Sequence, residues 1–170
     1  MKSILLVILM LASFGCWSQT QKGSSQFGLG GLLIVYFDNS LPTGYSLRAN
    51  VGFFVMDQWS VGIMPFTGKV DDIRSFGASL YSRYYLLDKK LSLFIEGSVG
   101  FGRLTYENQP ALNGFMSSLT LGPGLSYRLK ENIQIELLPQ YARLRNETNP
   151  ADSRVGNTFI PTLGIQFFIP

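Results

Sequence analysis

Residues 158–170 read Thr-Phe-Ile-Pro-Thr-Leu-Gly-Ile-Gln-Phe-Phe-Ile-Pro, and this stretch carries the pattern that decides the fold. Every second position from Phe159 to Ile169 is apolar, whereas the positions between them are mixed and include Gly164. A repeat of two is typical of a β-strand with one apolar face, because successive side chains of a strand point to opposite sides. The chain therefore ends in an amphipathic strand.

Seven upstream segments alternate in the same way, and turn-forming residues separate them. Most have about ten residues or more, the length that a tilted strand needs to cross a bilayer. The predicted strands are 26–37, 45–55, 59–64, 76–86, 91–106, 118–129, 133–141 and 158–170. The connections alternate between short turns at 56–58, 87–90 and 130–132 and mostly longer loops at 38–43, 65–75, 107–114 and 146–157.

Nearly all charges within the predicted strands fall on one face, which is rich in glycine and serine, while the opposite face is apolar. An arginine that faces hydrocarbon at the bilayer midplane costs about 2–4 kcal/mol. We therefore expect the apolar face to contact lipid and the charged face to line the inside of a closed barrel, the reverse of a soluble lipocalin-type barrel. The inward charged residues are Arg48, Arg83, Glu96, Arg128 and Glu136.

The inward charges nearly balance, and two pairs lie on neighbouring strands. Arg83 and Glu96 are related by one short turn, and Arg128 and Glu136 by another, so each pair is expected to meet on a diagonal. Because buried charges persist by pairing, we interpret these residues as an ionic core that fills the lumen. A selective conduction path along the same charges is the alternative. Glycines expected to face inward and leave room for larger side chains are Gly52, Gly62, Gly77, Gly100, Gly102, Gly122, Gly124 and Gly164.

The last strand also follows the order polar, any, Gly, any, any, apolar, any, apolar, through Thr162, Gly164, Phe167 and Ile169. This order resembles the C-terminal signal by which bacterial outer-membrane barrel proteins are handed to the barrel-assembly machinery. With the strand count, residues 19–170 resemble the small eight-stranded outer-membrane barrels of the OmpA-transmembrane and OmpX-like type. The resemblance implies an all-β, eight-stranded antiparallel up-and-down transmembrane β-barrel. It also implies a place in the cell outer membrane, among its lipid and lipopolysaccharide.

Residues 1–18 have the pattern of a signal peptide. Lys2 supplies the positive charge, residues 4–12 form an apolar run, and residues 16–18 form a small-any-small cleavage site. We expect the mature chain to begin at Gln19. Cys16 raises the alternative of lipid attachment, which is disfavoured because Ser13 stands where a lipoprotein signal carries an aliphatic residue.

The composition argues against catalysis and against metal binding. The chain has no histidine, and Cys16 is its one cysteine. Acyl transfer by a serine with histidine then lacks its general base, and metal sites lack their commonest ligands. We predict no catalytic, cofactor or metal site, and we interpret Asp71 and Asp72 as part of a solvated loop rather than a divalent-cation site. The net charge of +3 is too small to indicate nucleic acid.

The sequence is compatible with three functions. A structural or surface-interaction role for a barrel with a filled lumen ranks first. A narrow porin-like transporter of small solutes or apolar ligands is the alternative. A lipid-modifying enzyme ranks last, for the lack of a general base.

Overall fold

The structure is a computed structural model and describes residues 20–34, 44–87, 89–108, 110, 113–146 and 154–170. Its strands form one closed antiparallel barrel in which each strand pairs with its neighbours in the chain. The first and last strands close the ring, from Ser25 opposite Ile169 to Gly31 opposite Leu163. This confirms the expected fold. The strands are β1 Ser25–Ile34, β2 Gly44–Met56, β3 Trp59–Val70, β4 Ile73–Tyr85, β5 Leu91–Tyr106, β6 Gly114–Lys130, β7 Ile133–Asn146 and β8 Arg154–Ile169.

The prediction of a polar loop at 65–75 was wrong. β3 continues to Val70, β4 begins at Ile73, and the two residues between them form a tight turn in which Asp71 has a φ of 54°. The pairs run without a break, with Lys69 opposite Arg74. The reason is that a strand can extend beyond the lipid into water, where polar side chains no longer indicate a loop.

Other boundaries differ in the same direction. β6 begins at Gly114, β7 reaches Asn146 and β8 begins at Arg154, so these strands are longer at the long-loop end than the alternation predicted. The short turns lie where they were expected. The signal segment 1–18 with Gln19, the end of predicted strand one at 35–37, the loop 38–43 and residues 147–153 lie outside the described residues.

The burial of the side chains shows which face is outside. Leu121 and Leu125 are 60% and 43% exposed, while Ser126 between two outward neighbours is 2% exposed. The outward face of every strand carries exposed apolar side chains, far more than water tolerates on a monomer. The wall therefore faces lipid, as the charge distribution predicted. No helix among the described residues is long and apolar enough to span a membrane.

Candidate functional site: the barrel lumen

Aromatic side chains pack together inside the barrel near its short-turn end. Phe54, Tyr85, Phe94 and Phe168 converge from four strands and are at most 3% exposed. The ring centroids of Tyr85 lie 5.4 Å from Phe94 and 5.9 Å from Phe54, and Phe54 lies 6.2 Å from Phe168. Distances of this size are those of packed aromatic pairs. We call these four residues the aromatic floor.

Inward glycines make room for the floor and for the tyrosine above it. The ring of Phe94 lies directly over Gly124, where a Cβ would overlap it. Tyr81 in the same way occupies the space over Gly52 and Gly62, which face each other across β2 and β3. The expectation that inward glycines accommodate large side chains holds at these positions.

Above the floor, Arg83 is clamped between two glutamates. Arg83 lies directly opposite Glu96 on β5, and its Nε donates to Glu96 Oε2 at 2.9 Å. Its Nη1 crosses the lumen and donates to Glu136 Oε2 on β7 at 2.8 Å. Arg83 and Glu96 are both 0% exposed and Glu136 is 6% exposed. Charge-assisted hydrogen bonds of this geometry are among the strongest that side chains form.

Arg48 on β2 supplies a second cation on the long-loop side of this clamp. Its Nη1 lies 3.6 Å from Glu96 Oε1, and its Nη2 lies 3.8 Å from Glu136 Oε1. Each carboxylate therefore contacts both guanidinium groups, and two positive charges balance two negative ones. We call Arg48, Arg83, Glu96 and Glu136 the ion cluster.

Neutral polar side chains form hydrogen bonds with the ion cluster and with the residues around it. Gln140 accepts a hydrogen bond from Arg48 Nη1 at 2.9 Å and donates from its own Nε2 to Glu96 Oε1 at 3.2 Å. Gln26 donates to the hydroxyls of Ser60 and Tyr81, both at 2.8 Å. Buried charges cost least when such groups complete their hydrogen bonds, so the cluster is stabilised as a network rather than as isolated pairs.

The floor and the ion cluster are joined through Arg83. Its Nη1 donates to the Tyr85 hydroxyl at 3.2 Å, and its Cζ lies 4.3 Å from the centroid of the Phe94 ring. An arginine that stacks on an aromatic face gains a further attraction, which is larger where water is excluded. Arg83 is therefore the side chain that connects the two layers.

The structure brings together four of the five charged residues singled out in the sequence. The fifth, Arg128, lies opposite Gln134 at the short-turn end, while Glu136 lies opposite Ser126. Arg128 and Glu136 are therefore diagonal neighbours, as expected, and their pairing stays a prediction. The carboxylate of Glu136 contacts Arg83 and Arg48. Arg83 and Glu96 do pair, but directly across the ladder rather than on a diagonal.

Sequence reasoning missed the glutamines of the network, Gln26, Gln140 and Gln166. Gln166 donates from Nε2 to Glu136 Oε1 at 3.4 Å. The alternation of the strands places these glutamines on the inward face. A neutral amide at an inward position indicates a buried hydrogen bond, so the sequence did contain a signal for them.

The residues of the C-terminal pattern all lie in β8. Thr162 is buried in the lumen, and Gly164 faces inward next to Glu136, whose Cγ would lie 3.3 Å from an added Cβ. Phe167 packs against Phe27 of β1 with a centroid distance of 5.7 Å, so it takes part in closing the barrel.

The long-loop half of the lumen has a different lining. Half-buried apolar side chains face inward there, among glycines and serines. Near this end, Asp72 accepts a hydrogen bond from Asn108, and Glu107 accepts from Lys69 Nζ at 3.1 Å. No group of three or more metal-ligating side chains occurs among the residues that the structure describes. The inward apolar residues of this half include Phe66, Leu104, Leu144 and Ile160.

The barrel resembles solved structures of bacterial outer-membrane proteins. The N-terminal β-barrel domain of Pseudomonas aeruginosa OprF matches with a TM-score of 0.61 and 14% identity, over 87% of this chain and 98% of that one. Neisserial surface protein A matches with a TM-score of 0.57 and 12% identity, over 85% and 94%. OprG from Pseudomonas aeruginosa matches with a TM-score of 0.55 and 13% identity, over 90% and 99%. No protein-family model and no curated protein matches the sequence.

Because the sequence identities are low, these likenesses show the fold alone. Together with the apolar wall, they define the chain as a small eight-stranded transmembrane barrel of the bacterial outer-membrane type.

Proposed function

We propose that this protein is a non-conducting outer-membrane barrel of a Gram-negative cell, with a structural or surface-interaction role. The observation that carries the proposal is the fully buried Arg83, held by Glu96 and Glu136 directly above the aromatic floor. The interior of an eight-stranded barrel is narrow enough for side chains to fill it, so a barrel of this size need not contain an aqueous channel.

The ion cluster supports a closed lumen because its charges are compensated internally. A conducting pore lined with charge presents those charges to hydrated ions, whereas here each carboxylate contacts two guanidinium groups. Opening a path would separate buried opposite charges, which costs several kcal/mol for each broken partner.

A narrow transporter of apolar ligands is the second candidate. The inward apolar side chains of the long-loop half, such as Phe66 and Ile160, favour it because they could receive an apolar molecule from outside. The ion cluster below them argues against passage through the barrel. Catalysis is disfavoured, because the chain carries no histidine to act as a general base.

Solute uptake into vesicles tests the proposal. Purified barrel is refolded into vesicles loaded with an impermeant polymer, and swelling is followed after small neutral sugars are added. We expect the rate of protein-free vesicles, and a large porin serves as the positive control. Swelling that increases with the amount of this barrel would reject the closed lumen and favour the transporter. Release of acyl chains from labelled lipopolysaccharide or phospholipid would instead establish an enzyme.

A further inference from the structure

Arginines face outward at the long-loop end of the wall, where lipid meets water. Arg103 on β5 lies directly between Phe76 of β4 and Phe115 of β6, whose rings are 70% and 73% exposed. Exposed aromatic side chains on a barrel wall mark the membrane interface. The Arg103 side chain therefore lies at the level of lipid headgroups.

More cations face outward on the neighbouring strands. Arg143 and Arg145 project from β7, opposite Leu119 and Ser117 of β6, and both are exposed. Two strand spacings of about 4.8 Å, with offsets of two and four residues along the strands, place the backbone of Arg145 about 12 Å and that of Arg143 about 17 Å from the backbone of Arg103. Arg74 on β4 extends the same patch, and its side chain is 64% exposed. We call Arg74, Arg103, Arg143 and Arg145 the rim patch.

Carboxylates of the protein neutralise only part of the positive charge of the rim patch. Glu107 binds Arg74 and Lys69 at one edge. Arg103 and Arg143 have no carboxylate partner among the residues that the structure describes. Because both point out of the barrel at the interface, they lie where lipid headgroups can reach them. An arginine presents a planar fork of donors that matches a phosphate in two parallel hydrogen bonds.

We infer that Arg103 and Arg143 bind phosphate groups of lipopolysaccharide in the outer leaflet, with Arg145 beside them. This inference rests on the proposed function, since it requires the barrel to lie in the outer membrane with its long-loop end outward. Lipopolysaccharide is the chosen occupant because several phosphates on one molecule complement several cations spread over three strands. A singly charged phospholipid meets only one of them at a time.

Binding of purified lipid A to the folded barrel tests this inference. The probe is bis-phosphorylated lipid A, and the same lipid with both phosphates removed is the first control. The R103Q/R143Q variant should bind the phosphorylated lipid at least about tenfold more weakly, as expected for lost charge-assisted hydrogen bonds. The dephosphorylated lipid should bind both proteins equally weakly. R103K/R143K should recover part of the affinity, since it keeps the charges but loses the fork.

A matched variant separates position from total charge. K89Q/K130Q removes two exposed cations at the opposite end and should leave lipid A affinity unchanged. Phosphatidylglycerol vesicles distinguish the source of the phosphate, and R103Q/R143Q should bind them as the native protein does. Equal lipid A affinity in R103Q/R143Q and the native protein would overturn the inference, as would an equal loss in K89Q/K130Q or the same tenfold loss towards phosphatidylglycerol. Folding of each variant is checked in detergent free of lipopolysaccharide, so failure of the barrel itself is recognised separately.

Discussion

The guanidinium of Arg83 and the carboxylate of Glu96 face each other directly across β4 and β5, with Nε 2.9 Å from Oε2 and both side chains fully buried. Glu136 reaches the same guanidinium from the far side of the lumen. Arg83 thus links the neighbouring strands β4 and β5 through Glu96, and it also contacts β7 across the lumen through Glu136. For this reason, replacing Arg83 should destabilise the fold more than replacing Glu96.

Arg83→Met should destabilise the barrel more than Glu96→Gln. Loss of Arg83 leaves two buried carboxylates with Arg48 as the nearest cation, a change expected to cost about 3–5 kcal/mol. Glu96→Gln leaves Arg83 with Glu136 and should cost about 1–3 kcal/mol. Urea unfolding in lipid vesicles measures both values. The double variant should cost less than the sum of the two, and additive energies would indicate hydrated, independent charges.

The lipid-facing wall should respond to charge according to depth. Leu121 lies near the middle of β6, whereas Leu129 lies next to the short turn that follows it. Leu121→Arg should cost about 2–4 kcal/mol and Leu129→Arg about 0–1 kcal/mol, because the cost falls towards the interface. The same unfolding measurement applies. Equal effects at the two positions would mean that the membrane does not lie where the exposed apolar band places it.

Gly124 should tolerate no side chain while Phe94 is present. A methyl group at this position overlaps the Phe94 ring, so Gly124→Ala should cost about 1–3 kcal/mol by overpacking. Phe94→Leu in the same molecule should restore part of that loss. Gly97→Ala is the matched control on the same pair of strands, since its Cβ would be 3.6 Å from the nearest atom, in Leu121. A neutral Gly124→Ala would show that the floor is loosely packed.

The long-loop end contains a pH-sensitive contact. The hydrogen bond from Lys69, with the nearby charge of Arg74, holds the pKa of Glu107 below its ordinary value. A depressed carboxyl pKa means that the contact stabilises the fold above the unfolded-state pKa and is lost as pH falls through the folded-state pKa. Nuclear magnetic resonance titration of the Glu107 carboxyl should show the depression, and Lys69→Met should return the pKa towards normal. An unchanged pKa in Lys69→Met would rule out the contact in solution.

Local alternation was sufficient to predict the number of strands and the face of Arg83, Glu96 and Leu121. It failed at 65–75, where it predicted a loop. Polar side chains there indicate contact with water, and a strand can continue into water beyond the lipid. It also missed the contact of Arg83 with Glu136. That contact joins strands that are not neighbours, so it follows from the closure of the barrel rather than from local sequence.

Planar-bilayer conductance of the refolded native barrel tests the closed lumen most directly. The ion cluster above the aromatic floor predicts no steady conductance step in 1 M salt. Arg83→Ser with Glu96→Ser, which removes one half of the cluster, should introduce small steps where the native barrel shows none. A reproducible, long-lived conductance in the native barrel, unchanged in this variant, would contradict the account.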